Sequence, residues 1–299
     1  MTHPTRRGLL AATLGTGLAL AVATRSAHAN PPPTTLIVGS ANFPESVLLA
    51  QIYADALKAK GVAVSTRLNI ASRETYLGAL ADGSIDLIPE YTGNLARYYD
   101  KAADIADPAA ALAALKKALP AGFTVLAPSA AQDSDSICVA AATAKKYALV
   151  SIADLAGHAK DMVIGGPPEF KQRVDGLPGL QRVYGLVFKS FLPFDSANSL
   201  TVTALKNGQV QAANLYTTDP QVAANGFVAL QDPKHLFGAQ NVIPLIRRDH
   251  LTDAIASILD AVSAKLDTAT LAALVKNVVI DKQDVAAVAR AFLASKGLS

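Results

Sequence analysis

The sequence predicts an α/β protein in which parallel sheets are covered by helices, arranged as two lobes that close on one small ligand. Two observations carry this. Short apolar runs alternate with segments of helical periodicity along most of the 299 residues, and strand–helix–strand units of that length imply parallel strands joined by helical crossovers. Two distant segments, Ile88-Pro89-Glu90-Tyr91-Thr92-Gly93-Asn94 and Leu215-Tyr216-Thr217-Thr218-Asp219, each put a tyrosine beside small hydroxylated and acidic residues at the end of an apolar run. Ligands of such sheets sit beyond the carboxyl ends of strands. An aromatic face attracts a cation that has no hydrogen-bond donors, such as a quaternary ammonium. Either tyrosine alone reads equally well as a strand cap; the pair points to a shared site.

Residues 1–29 read as an export signal and not as part of the fold. Arg6 and Arg7 precede an apolar run rich in Leu, Ala and Gly that reaches about Ala23, and Ala27-His28-Ala29 has the small-x-small form of a cleavage site. The paired arginines fit the twin-arginine route, with a Sec signal as the alternative. The run is shorter and richer in glycine than a membrane span of roughly 20 apolar residues, and no cysteine marks the cleavage site for a lipid anchor. Without Arg6, Arg7 and Arg25 the basic residues fall from 27 to 24, equal to the 24 acidic ones. The remaining chain is therefore neutral overall, and nothing in its charge points to a nucleic-acid partner.

The elements follow in order. Residues 36–39 form a first strand, and Pro44 opens a helix with Val47, Leu48, Ile52 and Leu57 at helical spacing, ended by Gly61. A strand at 62–65, a helix at 73–81 and a strand at 85–88 complete the first strand–helix–strand array. Strands at 137–141 and 162–166, a helix near Tyr184, a helix at 202–207 and a strand at 210–216 repeat the theme. Residues 228–230 and 242–246 read as two more strands, and the last fifty residues as helices with apolar stripes such as Ile255, Ile258, Leu259, Val262 and Leu266. Cys138 is the only cysteine; within an apolar strand it reads as a packed, inert thiol. The chain has no phosphate-binding Gly-rich loop, dinucleotide fingerprint or nucleophile elbow. His158, His235 and His250 have no metal-ligand spacing and read as surface histidines.

From Leu36 onward the chain resembles the substrate-binding proteins of ABC importers for osmoprotectants such as glycine betaine, choline and carnitine. The matching segments are, in order, 38–45 (Val-Gly-Ser-Ala-Asn-Phe-Pro-Glu), 83–94, Gly166-Pro167-Pro168-Glu169, 179–186, 204–210, Tyr216-Thr217-Thr218-Asp219 and Leu230-Gln231-Asp232-Pro233. Their order and spacing over the whole segment carry the resemblance. It implies a two-lobed periplasmic-binding-protein fold of type II, with two helix-flanked sheets joined by a hinge. Residues 34–133 plus 240–299 would form one lobe and 134–239 the other. The implied partners are a small osmolyte and an ABC permease with its ATPase, the protein being a periplasmic monomer that uses no cofactor and no metal and catalyses nothing.

The resemblance also implies a site. Tyr91 and Tyr216 match two positions of a tyrosine cage around the quaternary ammonium, and Arg173 matches a basic position able to clamp a carboxylate. Thr92, Asn94 and Thr218 would handle polar groups. Ala41, followed by Asn42, stands where the family often has a lysine. Asn94 replaces a threonine. Further cage tyrosines are expected near Asp135 and near Phe237 to Gln240, where Asp135 and Gln240 stand instead. The cage is thus thinner and more polar, and Asp133 and Asp135 add negative charge suited to a cation with N–H donors of its own. Two alternatives remain: the same fold binding another amino-acid-derived cation or betaine, such as ergothioneine, and an exported enzyme on a related scaffold of the porphyrin-pathway deaminase type.

Overall fold

The computed structural model describes residues 35–194 and 199–299; the export signal read at residues 1–29 lies outside them. Its strands are β1 (Leu36–Gly39), β2 (Val64–Arg67), β3 (Leu87–Tyr91), β4 (Phe123–Val125), β5 (Asp135–Ala140), β6 (Val163–Gly166), β7 (Ser190–Pro193), β8 (Ala212–Tyr216), β9 (Phe227–Ala229) and β10 (Val242–Arg247). They build two five-stranded sheets, ordered β2-β1-β3-β10-β4 and β7-β6-β8-β5-β9. In each, three strands run parallel and the fourth and fifth add antiparallel pairings. The layouts correspond position by position. In both sheets the fifth strand is the last before the chain leaves, and the fourth is the first after it arrives. The result is the expected α/β architecture of two lobes.

Each sheet is buried on both faces, which is why its strands read as continuous apolar runs rather than alternating ones. In the first lobe Leu36, Val38 and Leu87 pack against the helix Pro44–Ala59 and the C-terminal helices, while Ile85, Ile88 and Leu245 pack against the helices Arg73–Ala81 and Pro108–Ala118. In the second lobe Ile137, Val139 and Ile164 face Phe170 and Leu180, and Cys138, Ala213 and Leu215 face Val202 and Leu205 of the helix Ser199–Lys206. The chain returns to the first lobe at its end. The helices Asp253–Ser263, Thr268–Val279 and Val285–Ser295 start at Thr252, Asp267 and Asp284, whose side chains accept backbone N–H bonds as N-caps.

Several boundaries differ from the sequence reading. β3 begins at Leu87 and continues through Pro89 to Tyr91. Proline is tolerated there because β1 meets β3 only at Val38–Leu87, so no strand on that side asks Pro89 for an N–H. β2 starts at Val64 rather than 62 and β8 at Ala212 rather than 210. β4, β7 and the helices Thr92–Tyr99 and Pro108–Ala118 were not foreseen. β4 has three residues, and its pairing comes from β10, more than a hundred positions away.

The two passages between lobes, residues 126–134 and 230–241, run side by side and antiparallel. Ser129 N donates to Val242 O at 2.8 Å, Val242 N to Ala131 O at 3.0 Å, and Asp133 N to Gln240 O at 3.1 Å. Gly238 lies on the returning passage with φ +54°, and a Cβ there would stand 2.3 Å from the carbonyl oxygen of Ile105. Gly238→Ala is therefore expected to lower stability by about 1–3 kcal/mol, seen as a lower urea midpoint. Gly185→Ala is the control: its φ is +70° but nothing lies within 4 Å, so it should lose only the roughly 1 kcal/mol of left-handed strain.

Cys138 is fully buried, and burial pushes its thiol up to about 11 against a contact with Ser136. Its reaction with a disulfide reagent at pH 8 should be slower than in the urea-unfolded chain by more than about a hundredfold. Equal rates would overturn the reading of an inert thiol.

Candidate functional site

Tyr91 ends β3 and Tyr216 ends β8, the third strands of the two sheets. Tyr91 is paired with Val242, the first residue of β10, and Tyr216 with Asp135, the first residue of β5. The two tyrosines therefore occupy equivalent places, each at a strand carboxyl end and each beside the chain that has just crossed from the other lobe. This is the region where open α/β sheets bind ligands.

Phe43 lies between them. Its ring centroid is 6.3 Å from that of Tyr91 and 5.5 Å from that of Tyr216, with the planes inclined by 29° and 33°. Phe43 precedes the helix Pro44–Ala59 in the loop after β1, so one aromatic cluster is assembled from three strand ends and both lobes. The sequence reading placed this loop at the site but did not single out Phe43.

Behind the rings lie two acids. Glu45, in the first turn of that helix, accepts from the Tyr91 hydroxyl at 2.6 Å and from Thr218 Oγ1 at 2.5 Å. Asp133 accepts from Thr218 N at 3.0 Å and Thr217 Oγ1 at 3.2 Å. Both acids are buried, at 3% and 5% exposure, and they meet on Thr218, Glu45 at its hydroxyl and Asp133 at its amide. Burial raises the Glu45 carboxyl despite its bonds from Thr218 and Tyr91. Burial and the neighbouring Glu45 charge hold Asp133 well above the usual carboxylate range. Burial, then the Glu45 charge, also raises the Tyr91 hydroxyl, so it remains a donor.

The cleft in front of the rings is walled by Ala41, Asn42, Tyr76, Asn94 and two arginines, one from each lobe, with Glu74 and Glu169 beside them. Arg73 is held bidentately by Glu90 at 2.8 and 3.0 Å, and Glu90, fully buried, also accepts from the Tyr76 hydroxyl. Arg173 Nη2 donates to Asp135 at 2.6 Å, and its Nε lies 3.3 Å from Asp175. Burial opposes the charge on each arginine, but their acidic partners outweigh it and keep both protonated. The resulting fork of charged donors is the geometry that recognises carboxylates.

The structure brings Tyr91, Tyr216, Ala41, Asn42, Asn94 and Arg173 to this cleft. Asn42 Oδ1 is a buried acceptor with no protein partner. The other residues singled out in the sequence sit around the cleft rather than on its wall. Asp135 lies beneath Arg173 and also accepts from Asn214 at 2.9 Å. Thr218 is behind the rings, spent on Glu45. Thr92 Oγ1 accepts from Asn241 N and donates to Ala239 O, which ties β3 to the returning passage. Gln240 is fully buried; its amide donates to Asn94 Oδ1 and Phe237 O and accepts from Asn94 N. Gln240 thus positions Asn94 and has no free polar atom for a ligand. Phe237, weighed as a substitute cage residue, is packed in the core of the second lobe with Phe170 and Leu180. Glu45, Arg73 and Glu90 were missed as site residues. The only local signal was the one for Glu90, whose acid interrupts an apolar run.

Known proteins match this chain over most of its length. Residues 34–295 match the family model described as the substrate binding domain of ABC-type glycine betaine transport systems. The chain is 30% identical over 274 residues to the glycine betaine-binding protein YehZ of Escherichia coli, covering 87% of this chain and 90% of the relative. It is 29% identical over 271 residues to a glycine-betaine-binding protein of Pseudomonas aeruginosa, covering 87% of both. A crystal structure of a glycine betaine/carnitine/choline ABC transporter protein superposes with a TM-score of 0.70 at 22% identity, over 88% of this chain and 99% of the other, which supports the fold. The chain belongs to the substrate-binding family of ABC-type glycine betaine transport systems.

Proposed function

We propose that the protein captures a small quaternary-ammonium or zwitterionic osmolyte of the glycine betaine, choline or carnitine type and delivers it to an ABC importer. The observation that carries this is the trio of rings at equivalent strand ends of the two lobes, with two arginines across the same cleft. The cation would lie against Tyr91, Tyr216 and Phe43, where the ring faces attract it without requiring a donor. A ligand carboxylate would meet Arg173, with Asn94 and Asn42 as nearby amides. Arg173 is already engaged by Asp135 and Asp175, so a carboxylate must share it, and zwitterions would bind more weakly than where that arginine is free.

Transport follows from movement of residues 34–133 plus 240–299 against residues 134–239 about the paired passages. The closed form would dock on a permease coupled to its ATPase. Capture requires no chemical step; the one thiol, Cys138, faces the helix Ser199–Lys206 on the far side of β5. The site of action would be the periplasm, reached by the export signal through the twin-arginine route, with the protein acting as a monomer. A second reading is favoured by the carboxylates of Glu74, Glu169 and Asp133 on the cleft wall: a cation with N–H donors of its own, such as an amino-acid-derived betaine with a ring nitrogen.

Calorimetric titration with glycine betaine, choline, carnitine and ergothioneine tests both. Binding of the simple quaternary amines supports the first reading, and binding of ergothioneine alone supports the second. Tyr91→Ala and Tyr216→Ala should each lose roughly 0.5–2 kcal/mol, or about 2- to 30-fold in affinity. Unchanged affinity in both would overturn the aromatic site. Asp135→Asn should strengthen glycine betaine relative to choline, because it frees Arg173 for the carboxylate; equal effects on the two ligands would sink that role for Arg173.

A further inference from the structure

The role proposed for the rings leaves the Glu45–Asp133 pair unused. The two carboxyls meet on one residue, Glu45 at the Thr218 hydroxyl and Asp133 at the Thr218 amide, and both are buried; two ionised carboxylates so placed with no cation beside them repel, so the pair keeps one proton. Every side-chain bond the structure gives them comes from a neutral donor: Tyr91, Thr217, Thr218 and the Thr218 backbone. The groups facing the pair from each packed element bring no free positive charge. Asp219 and Asp135 add negative charge. Gln221 of the helix Pro220–Ala224 and Val275 and Val279 of the helix Thr268–Val279 are neutral. On the cleft side, Arg173 is engaged by Asp135 and Asp175, and Arg73 by Glu90.

The pair borders the aromatic site directly. Phe43, Tyr216 and Asp133 wall both the cleft in front of the rings and a smaller cavity behind them, which Glu45 also lines. A cation held by the rings would therefore stand beside Asp133, with little water between them to screen the charge. Building on the function proposed above, we propose that Glu45 and Asp133 share one proton in the free protein, and that a cationic group entering the aromatic site expels it to solvent. The O–H bond of the shared carboxyl breaks, the buffer takes the proton, and the pair becomes a dianion whose added charge is balanced by the ligand. Glu45 and Asp133 are then ligand-facing residues, and cation capture is linked to proton release.

The sign follows from linkage. A bound cation lowers the pair's proton affinity, so ligand affinity rises as pH rises through the titration range of the free pair. Below that range affinity falls by up to tenfold per pH unit for one released proton. The probe is choline chloride, titrated calorimetrically into the mature protein in buffers of different ionisation enthalpy at one pH. The expected result is a release approaching one proton per choline, dropping to near zero in Glu45→Gln, whose amide keeps an acceptor for Tyr91 and a donor for Asp133. Measurable choline binding with no proton release in the unaltered protein overturns the proposal. A measurement without ligand keeps it open to test on its own: the infrared carbonyl stretch of a protonated carboxyl at neutral pH. That band should be present in the free protein and absent from folded Glu45→Gln and Asp133→Asn, and its absence from the unaltered protein overturns the shared proton. If the band is present but choline, glycine betaine and carnitine all fail to bind, the functional reading falls and the expulsion step falls with it.

Discussion

The antiparallel pairing of the two passages between lobes is the constraint from which the site follows. Each passage leads directly into the antiparallel fourth strand of the receiving sheet, so the register set at Ser129–Val242 and Asp133–Gln240 is carried into β10 and β5. Those strands in turn fix the ends of β3 and β8, and hence Tyr91 opposite Val242 and Tyr216 opposite Asp135. A slip of one residue would turn every side chain of β5 to the other face and remove Asp135 from Arg173. This explains why polar side chains near the passages, Thr92 and Gln240, have their hydrogen bonds filled, Thr92 by the backbone of Ala239 and Asn241 and Gln240 by Asn94 and Phe237. Buried polar groups at a crossing must be satisfied, or each costs about 1–3 kcal/mol.

Charge, rather than shape alone, separates the ligand classes this cleft can hold. Both arginines are committed to acids of their own lobe, Arg73 to Glu90 and Arg173 to Asp135 and Asp175. Such pairs are retained because the loss of either partner strands a buried charge, at about 3–5 kcal/mol. Glu74, Glu169 and Asp133 remain on the wall with Glu45 behind. The balance is acidic, so a ligand's cationic end is favoured at the rings while its carboxylate, if it has one, enters a contest already joined. The aspartate at 135 thus does two things at once: it stands where the resemblance leads one to expect an aromatic residue, and it occupies the arginine proposed to meet the ligand's other end.

The fold was legible because both sheets are buried on two faces, which leaves continuous apolar runs punctuated by Gly and Pro. Tyr91 and Tyr216 were legible for the same reason, since each is the last residue of such a run. What escaped detection depends on distance along the chain. Phe43 read as a loop residue, and nothing local says that its ring meets a tyrosine 173 positions later. Glu45 has the ordinary position of an acid in a helix's first turn; only the fold shows that Thr218 and Asp133 bury it. Gln240 and Thr92 erred in the opposite direction. Their side chains suit a ligand, but the returning passage occupies Thr92, and Asn94 and Phe237 occupy Gln240. β4 was invisible because three residues carry no period, and its pairing comes wholly from β10.

The contacts that join the lobes around the site include Thr218 to Glu45, Asn94 to Asp135 at 3.4 Å, Arg97 Nη1 to Leu236 O, the Phe43–Tyr216 ring pair, and the helix Pro220–Ala224 against the helix Thr268–Val279. A ligand would shift the populations of open and closed forms only by its preference for one of them. That preference must come from groups belonging to both lobes. Tyr91, Phe43 and Arg73 come from one, Tyr216 and Arg173 from the other, and Asp133 from the passage between. A cation gripped by a single tyrosine would bind without closing the protein; one gripped by both rings would close it.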